Sequence, residues 1–115
     1  MRLRVANLLP FVVLKINAFQ ERHENKDAYD LIYCLKNYRD DSKQTGEILA
    51  SRKLAHDDSV KAALTLLEER FARFDNDGPT AYANFLVPNG NDESDELRRE
   101  AVAVVRRVLA GFRGE

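Results

Sequence analysis

Five of the seven charged residues from Lys15 to Asp30 (Lys15, Arg22, Lys26, Asp27 and Asp30) stand at intervals that suit chemistry on anions. On a helix, Lys15, Ala18 and Arg22 fall at i, i+3 and i+7, so two cations and a small residue share one face. A second helix starting near Lys26 puts Asp27 and Asp30 one turn apart, so the cations of one helix face the carboxylates of the next. Each residue has two readings. Lys15 is a phosphate ligand, or a lysine that snorkels from an apolar helix or pairs with a carboxylate. Asp27 is a catalytic base, or a residue complementing the positive end of the second helix. Asp30 with Arg22 reads most simply as an ion pair that fixes the angle between the two helices.

The spellings K-x-x-A (Lys15, Ala18) and R-x-x-x-K-D-x-x-D (Arg22, Lys26, Asp27, Asp30) resemble the last two motifs of the AbiEii-type nucleotidyltransferases. These are toxins of bacterial abortive-infection and toxin–antitoxin systems. The resemblance is strongest over Leu9 to Leu35. It implies that Lys15 holds nucleotide phosphates, with Arg22 and Lys26 on the same cofactor-binding side, and that Asp27 or Asp30 takes a catalytic part in transfer. It also implies a nucleoside triphosphate with magnesium as cofactor, once a catalytic domain is supplied. That domain precedes these motifs in the family and opens with a Gly-Ser step followed by paired metal-binding aspartates. Here there is no Gly-Ser, and the one Asp-x-Asp, at Asp75 and Asp77, follows the lysine motif and abuts Gly78-Pro79, where a helix stop explains it.

The expectation is therefore a C-terminal helical module that lacks the metal-binding half, is inactive alone and is at most a partial enzyme. Its partners would be the missing nucleotidyltransferase domain, a cognate antitoxin or a second copy in a homodimer. The nucleotide stays open, and so does the acceptor, whether tRNA, protein or small molecule. The rival expectation is a non-catalytic helical interaction or dimerisation protein whose charged cluster is purely architectural.

Composition narrows the classes further. With 115 residues the chain has the length of one helical domain, 1–115. Hydrophobic residues at 44% and charged residues at 32% describe a folded chain and argue against disorder, and a formal net charge of −1 leaves no strong nucleic-acid footprint. The single cysteine, Cys34, permits neither an intrachain disulfide nor a cysteine-based zinc site, which fits a reducing cytoplasm. His23 and His56 lack metal-ligand spacing, and Asp75-Asn76-Asp77-Gly78 lacks the later residues of a calcium loop, so no metal site is expected. The apolar run Leu8 to Leu14 is too short to span a bilayer, and a soluble, cytoplasmic protein without membrane contact is expected.

The elements that must position these residues form an all-α, compact bundle of about five helices, with at most one short N-terminal strand. The alternation at Arg2 to Ala6 suggests that strand. Asn7 would cap a first helix with Pro10 in its first turn, running to about Arg22 and buried round most of its circumference. A turn at His23 to Asn25 leads to a second helix over about Lys26 to Tyr38, and Arg39 to Gly46 reads as loop before a weak helix from Glu47 to Leu54. Asp57 or Asp58 caps the next helix, where Val60, Ala63, Leu64, Leu67, Phe71 and Phe74 keep helical spacing. Gly78-Pro79 stops it and starts a short helix through Leu86. Asp92 or Ser94 caps the last, whose stripe runs from Leu97 to Phe112 with arginines on its flanks, solvated beside Asp95, Glu96 and Glu100.

Overall fold

A computed structural model describes residues 5–90 and 92–115 and shows six α-helices: α1 Val5–Arg22, α2 Asn25–Asn37, α3 Ser42–Ala50, α4 Asp58–Phe71, α5 Asp77–Leu86 and α6 Asp92–Arg113. The fold class is all-α, with no strand among the described residues. The expected N-terminal strand is corrected at Val5 and Ala6, which belong to α1; Arg2 to Arg4 lie outside the described residues. Asn7 is consequently not a cap, and Pro10 sits in the second turn of α1, where its ring nitrogen cannot donate to the carbonyl four residues back.

One core takes side chains from all six helices, with Phe19, Phe71, Ile16, Leu31, Ile32, Leu49, Leu67 and Val105 fully enclosed. Each such side chain contributes about 1.5 to 3 kcal/mol by leaving water. The helix at the centre is α6, which packs against α2, α3, α4 and α5, whereas α1, expected to be buried round most of its circumference, is not. Only one face of α1 is buried, through Leu8, Leu9, Val12, Ile16 and Phe19, while Leu14 points to solvent.

The loop expected over Arg39 to Gly46 is instead mostly helix. Asp41 accepts a hydrogen bond from the Lys43 N–H at 3.0 Å, which caps α3 at Ser42, and the helix ends at Ala50 rather than Leu54. Gly46 is a contact surface rather than a stop. A β-carbon at Gly46 would fall against the backbone of Val108 and Phe112 on α6, and one at Gly111 against the backbone of Lys43 on α3. These two glycines let α3 and α6 touch backbone to backbone.

Asp57 caps α4 as expected, accepting from the Ser59 N–H at 2.9 Å. That helix ends at Phe71, short of Phe74, and Gly78 and Pro79 lie inside the first turn of α5 instead of ending α4. Asp92 and Ser94 are already within α6, so its cap lies outside the described residues.

Candidate functional site

Two residues join α1 to α2, and they fix how the charged side chains meet. His23 takes a left-handed backbone, φ 53°, with its N–H donating to the Phe19 carbonyl at 2.8 Å, and Glu24 is extended. The Asp27 N–H donates to the Glu24 carbonyl at 3.1 Å, which sets Asp27 in the first turn of α2, at the positive end of the helix dipole.

Across this elbow the five sequence-predicted residues form one network. Arg22 Nη2 donates to both oxygens of Asp27, at 2.8 and 2.9 Å. Lys15 Nζ donates to Asp30 Oδ2 at 2.9 Å and lies 3.6 Å from Asp27 Oδ1, and Lys26 Nζ donates to the same Asp30 oxygen at 2.9 Å. The Asp27 side chain is 4% exposed, those of Lys15 and Asp30 18% each, and those of Arg22 and Lys26 more than half. A nearly buried carboxylate and a well-covered lysine therefore sit under an exposed cationic rim.

The three cations of the cluster are unequally covered. Lys15 is the best enclosed, because its four-carbon stem spans from α1 to the second turn of α2 and its ammonium lies 5.7 Å from the Phe11 ring centre. Burial would push the Asp30 carboxyl up, but the hydrogen bonds from Lys26 and Lys15 outweigh it and hold the group below its usual range. The same bond raises Lys26. Asp27 has both oxygens engaged, whereas both lysine bonds to Asp30 fall on Oδ2.

Residues not anticipated from the sequence brace the elbow from outside. Asp77 Oδ2 lies 3.8 Å from His23 Nδ1 and 3.4 Å from Arg70 Nη1, and Arg70 Nε donates to Gln20 Oε1 at 2.9 Å. Asp77 is thus part of a brace, and Asp75 lies 3.8 Å from Arg73. Among the described residues no group of three or more His, Cys, Asp or Glu could hold a metal ion.

Three further surfaces stand out. Leu9, Pro10, Val13, Leu14 and Leu54 line an open apolar groove of about 580 Å³. On α6, Arg99, Arg106 and Arg107 are exposed, as expected of a solvated face, while Arg98 is partly covered; Arg98 and Arg99 lie 5.3 and 5.5 Å from the Phe74 ring centre. Glu100 turns away to accept from Tyr82 Oη at 2.5 Å and to pair with Lys36 at 2.8 Å. On the α2–α5 side, Tyr29 stacks on Phe85 with 4.7 Å between ring centres, beside an exposed Tyr33.

Compared with models of protein families, with curated proteins and with solved structures, the chain finds no match. No helix among the described residues is long and apolar enough to cross a membrane.

Proposed function

We propose that this chain is the helical module of an AbiEii-like nucleotidyltransferase, in which Lys15, Arg22 and Lys26 hold nucleotide phosphates and Asp27 and Asp30 orient those cations and take part in transfer. The observation that carries the reading is the convergence itself. Residues as far apart as Lys15 and Asp30 meet in a single network of three cations and two carboxylates. That leaves one positive charge in surplus, and the two cations with exposed side chains sit at the rim where an anion arrives.

The residues fit phosphate. They do not fit a resident metal, since Asp27 is enclosed with both oxygens engaged. The magnesium ions that clamp attacking and leaving oxygens in nucleotidyl transfer would accordingly be held by a separate catalytic domain. In that arrangement Asp30 releases Lys26 to the phosphates while keeping Lys15 in place, and Asp27 anchors Arg22.

A second reading, an interaction protein with an architectural cluster, draws on the close engagement of Lys15 with Asp30. Calorimetric titration separates the two, with ATP, GTP, CTP and UTP in magnesium buffer, on wild type, Lys15→Ala and Lys26→Ala. The expected result is binding by wild type that weakens at least tenfold in both variants, with no nucleotidyl transfer by this chain alone. Absence of binding by wild type, or equal binding by all three proteins, would leave the architectural reading standing.

A further inference from the structure

On α2 the residues Lys26, Tyr29, Tyr33 and Lys36 follow at i, i+3, i+7 and i+10, one stripe along the helix. Its two ends are cationic and its middle is aromatic. Tyr29 is clamped from α5, stacking on Phe85 at 4.7 Å and on Tyr82 at 6.2 Å with only 13° between the last pair of rings. Tyr33 leans on Tyr29 at 5.7 Å and is 53% exposed, and Phe85 is 39% exposed. Beneath them, Glu100 receives the Tyr82 hydroxyl and the Lys36 ammonium, which ties the shelf to α6. The rings are thus held from below and behind while the outer faces stay open to solvent.

An aromatic shelf next to cations has the chemistry of a base-stacking surface. Any nucleobase presents a π-face to such rings, and stacking tolerates base identity because it reads no edge groups. Tyr33 lies seven residues beyond Lys26, about 10 Å along the helix axis, which is of the order of the reach from a base to its terminal phosphates. The exposed Lys26 shares Asp30 Oδ2 with Lys15 and stands on the same stripe of α2 as the shelf, which links the two.

We propose that Tyr33, supported by Tyr29 and Phe85, is the base platform for the nucleoside triphosphate whose phosphates Lys15 and Lys26 hold. The proposal rests on the phosphate reading above and adds the position and class of the ligand's other half: a base bound by stacking, larger purines more tightly than pyrimidines. Charge complementarity places the phosphates toward Lys26, whose cluster of three cations and two carboxylates has one positive charge in surplus, rather than toward Lys36, which pairs one to one with Glu100.

The test is calorimetric titration of ATP, adenosine and inorganic tripolyphosphate into wild type, Tyr33→Ala, Tyr33→Phe and Lys26→Ala, with circular dichroism melts to verify folding. Tyr33 is half exposed, so its truncation leaves the core intact. Wild type should bind ATP about tenfold to a hundredfold more tightly than tripolyphosphate, the range that base–aromatic stacking provides. Tyr33→Ala should erase that preference without changing tripolyphosphate binding, Tyr33→Phe should keep it, and Lys26→Ala should weaken both phosphate ligands.

Equal binding of ATP and tripolyphosphate by wild type, or ATP binding unchanged in Tyr33→Ala, overturns the platform while the phosphate reading stands. Adenosine binding that Tyr33→Ala abolishes, with no tripolyphosphate binding, supports the platform and removes the phosphate reading. Binding of none of the three overturns both. A concentration-dependent dimer seen by sedimentation and lost in Tyr33→Ala would give this face to a second copy and overturn the platform as well.

Discussion

Replacing Gly111 with alanine should destabilise the protein, although the usual expectation has the opposite sign. In an exposed helix interior, Gly→Ala stabilises by about 1 kcal/mol, because alanine loses less conformational freedom. At Gly111 the added β-carbon would stand 2.9 Å from the Lys43 carbonyl carbon and 3.1 Å from the Glu47 nitrogen, with the Lys43 oxygen closer still, whereas ordinary contact begins at 3.4 Å. The obstacles are backbone atoms of α3, so no side chain can rotate away. α3 must part from α6, and Thr45, Leu49, Val108 and Leu109, all buried around this contact, lose packing together. Overpacking of a tight core costs about 1 to 3 kcal/mol and sometimes more. Because the obstacle is backbone, the upper end of that range applies, and less the propensity gain of about 1 kcal/mol the net loss is about 2 kcal/mol, which lowers the melting temperature by roughly 10 °C for a chain of this size. Urea and thermal unfolding of Gly111→Ala against wild type measure it. Ala103→Gly, at an exposed position on the same helix, gives the propensity effect alone. A Gly111→Ala protein as stable as wild type, or more so, would refute the backbone contact between α3 and α6.

Three other outcomes are expected. Arg22→Ala should cost about 1 to 2 kcal/mol, between the values for a surface pair and a fully buried one, because Arg22 is 56% exposed and Asp27 keeps Lys15 at 3.6 Å; a double-mutant cycle with Asp27→Asn reads it, and a loss above 3 kcal/mol contradicts the geometry. The carboxyls of Asp30 and Glu100 are each pushed up by burial but held below their usual range by hydrogen bonds that together outweigh it, from Lys26 and Lys15 and from Lys36 and Tyr82 respectively. Their stabilising contribution is thus present above the unfolded-state values near pH 4 and lost as pH falls through the folded ones, so unfolding free energy should fall below about pH 4, less steeply in Asp30→Asn. Burial pushes the Cys34 thiol up to about 11, so the native protein should react with iodoacetamide at neutral pH much more slowly than the urea-unfolded chain; equal rates would count against that burial.

Much of the site was legible because it is local. Arg22, Asp27 and Asp30 lie either side of a short turn, and helical periodicity alone brings them to one side. The apolar spacing of α4 and α6 was equally plain, since Val60 to Phe71 and Ala101 to Leu109 are buried on one face each. What escaped the sequence depends on distant partners. Gly46 looks like a terminator until α6 is seen crossing it, and Leu14 continues an apolar run although nothing covers it. Glu100 reads as a solvated neighbour of the arginines until Tyr82 and Lys36 take it, and Arg98 and Arg99 find Phe74 from another element. The enclosure of Lys15 was hidden for a different reason: spacing gives the direction of a lysine stem but not how far it extends.

The two-residue elbow at His23 and Glu24 bears on the order in which the molecule assembles. Every ion pair of the Lys15–Asp30 cluster closes within a single helical hairpin, while the contact between Gly46 and Val108 closes a loop spanning more than half of the chain. Short loops cost less entropy to close, so low contact order favours the α1–α2 hairpin early and the α3–α6 seam late. In a chevron plot, changes at Asp27 would then act mainly on the refolding arm and changes at Gly111 mainly on the unfolding arm. The charged cluster would be in register before the last helix has docked, and the seam that closes afterwards would set how long the folded state persists.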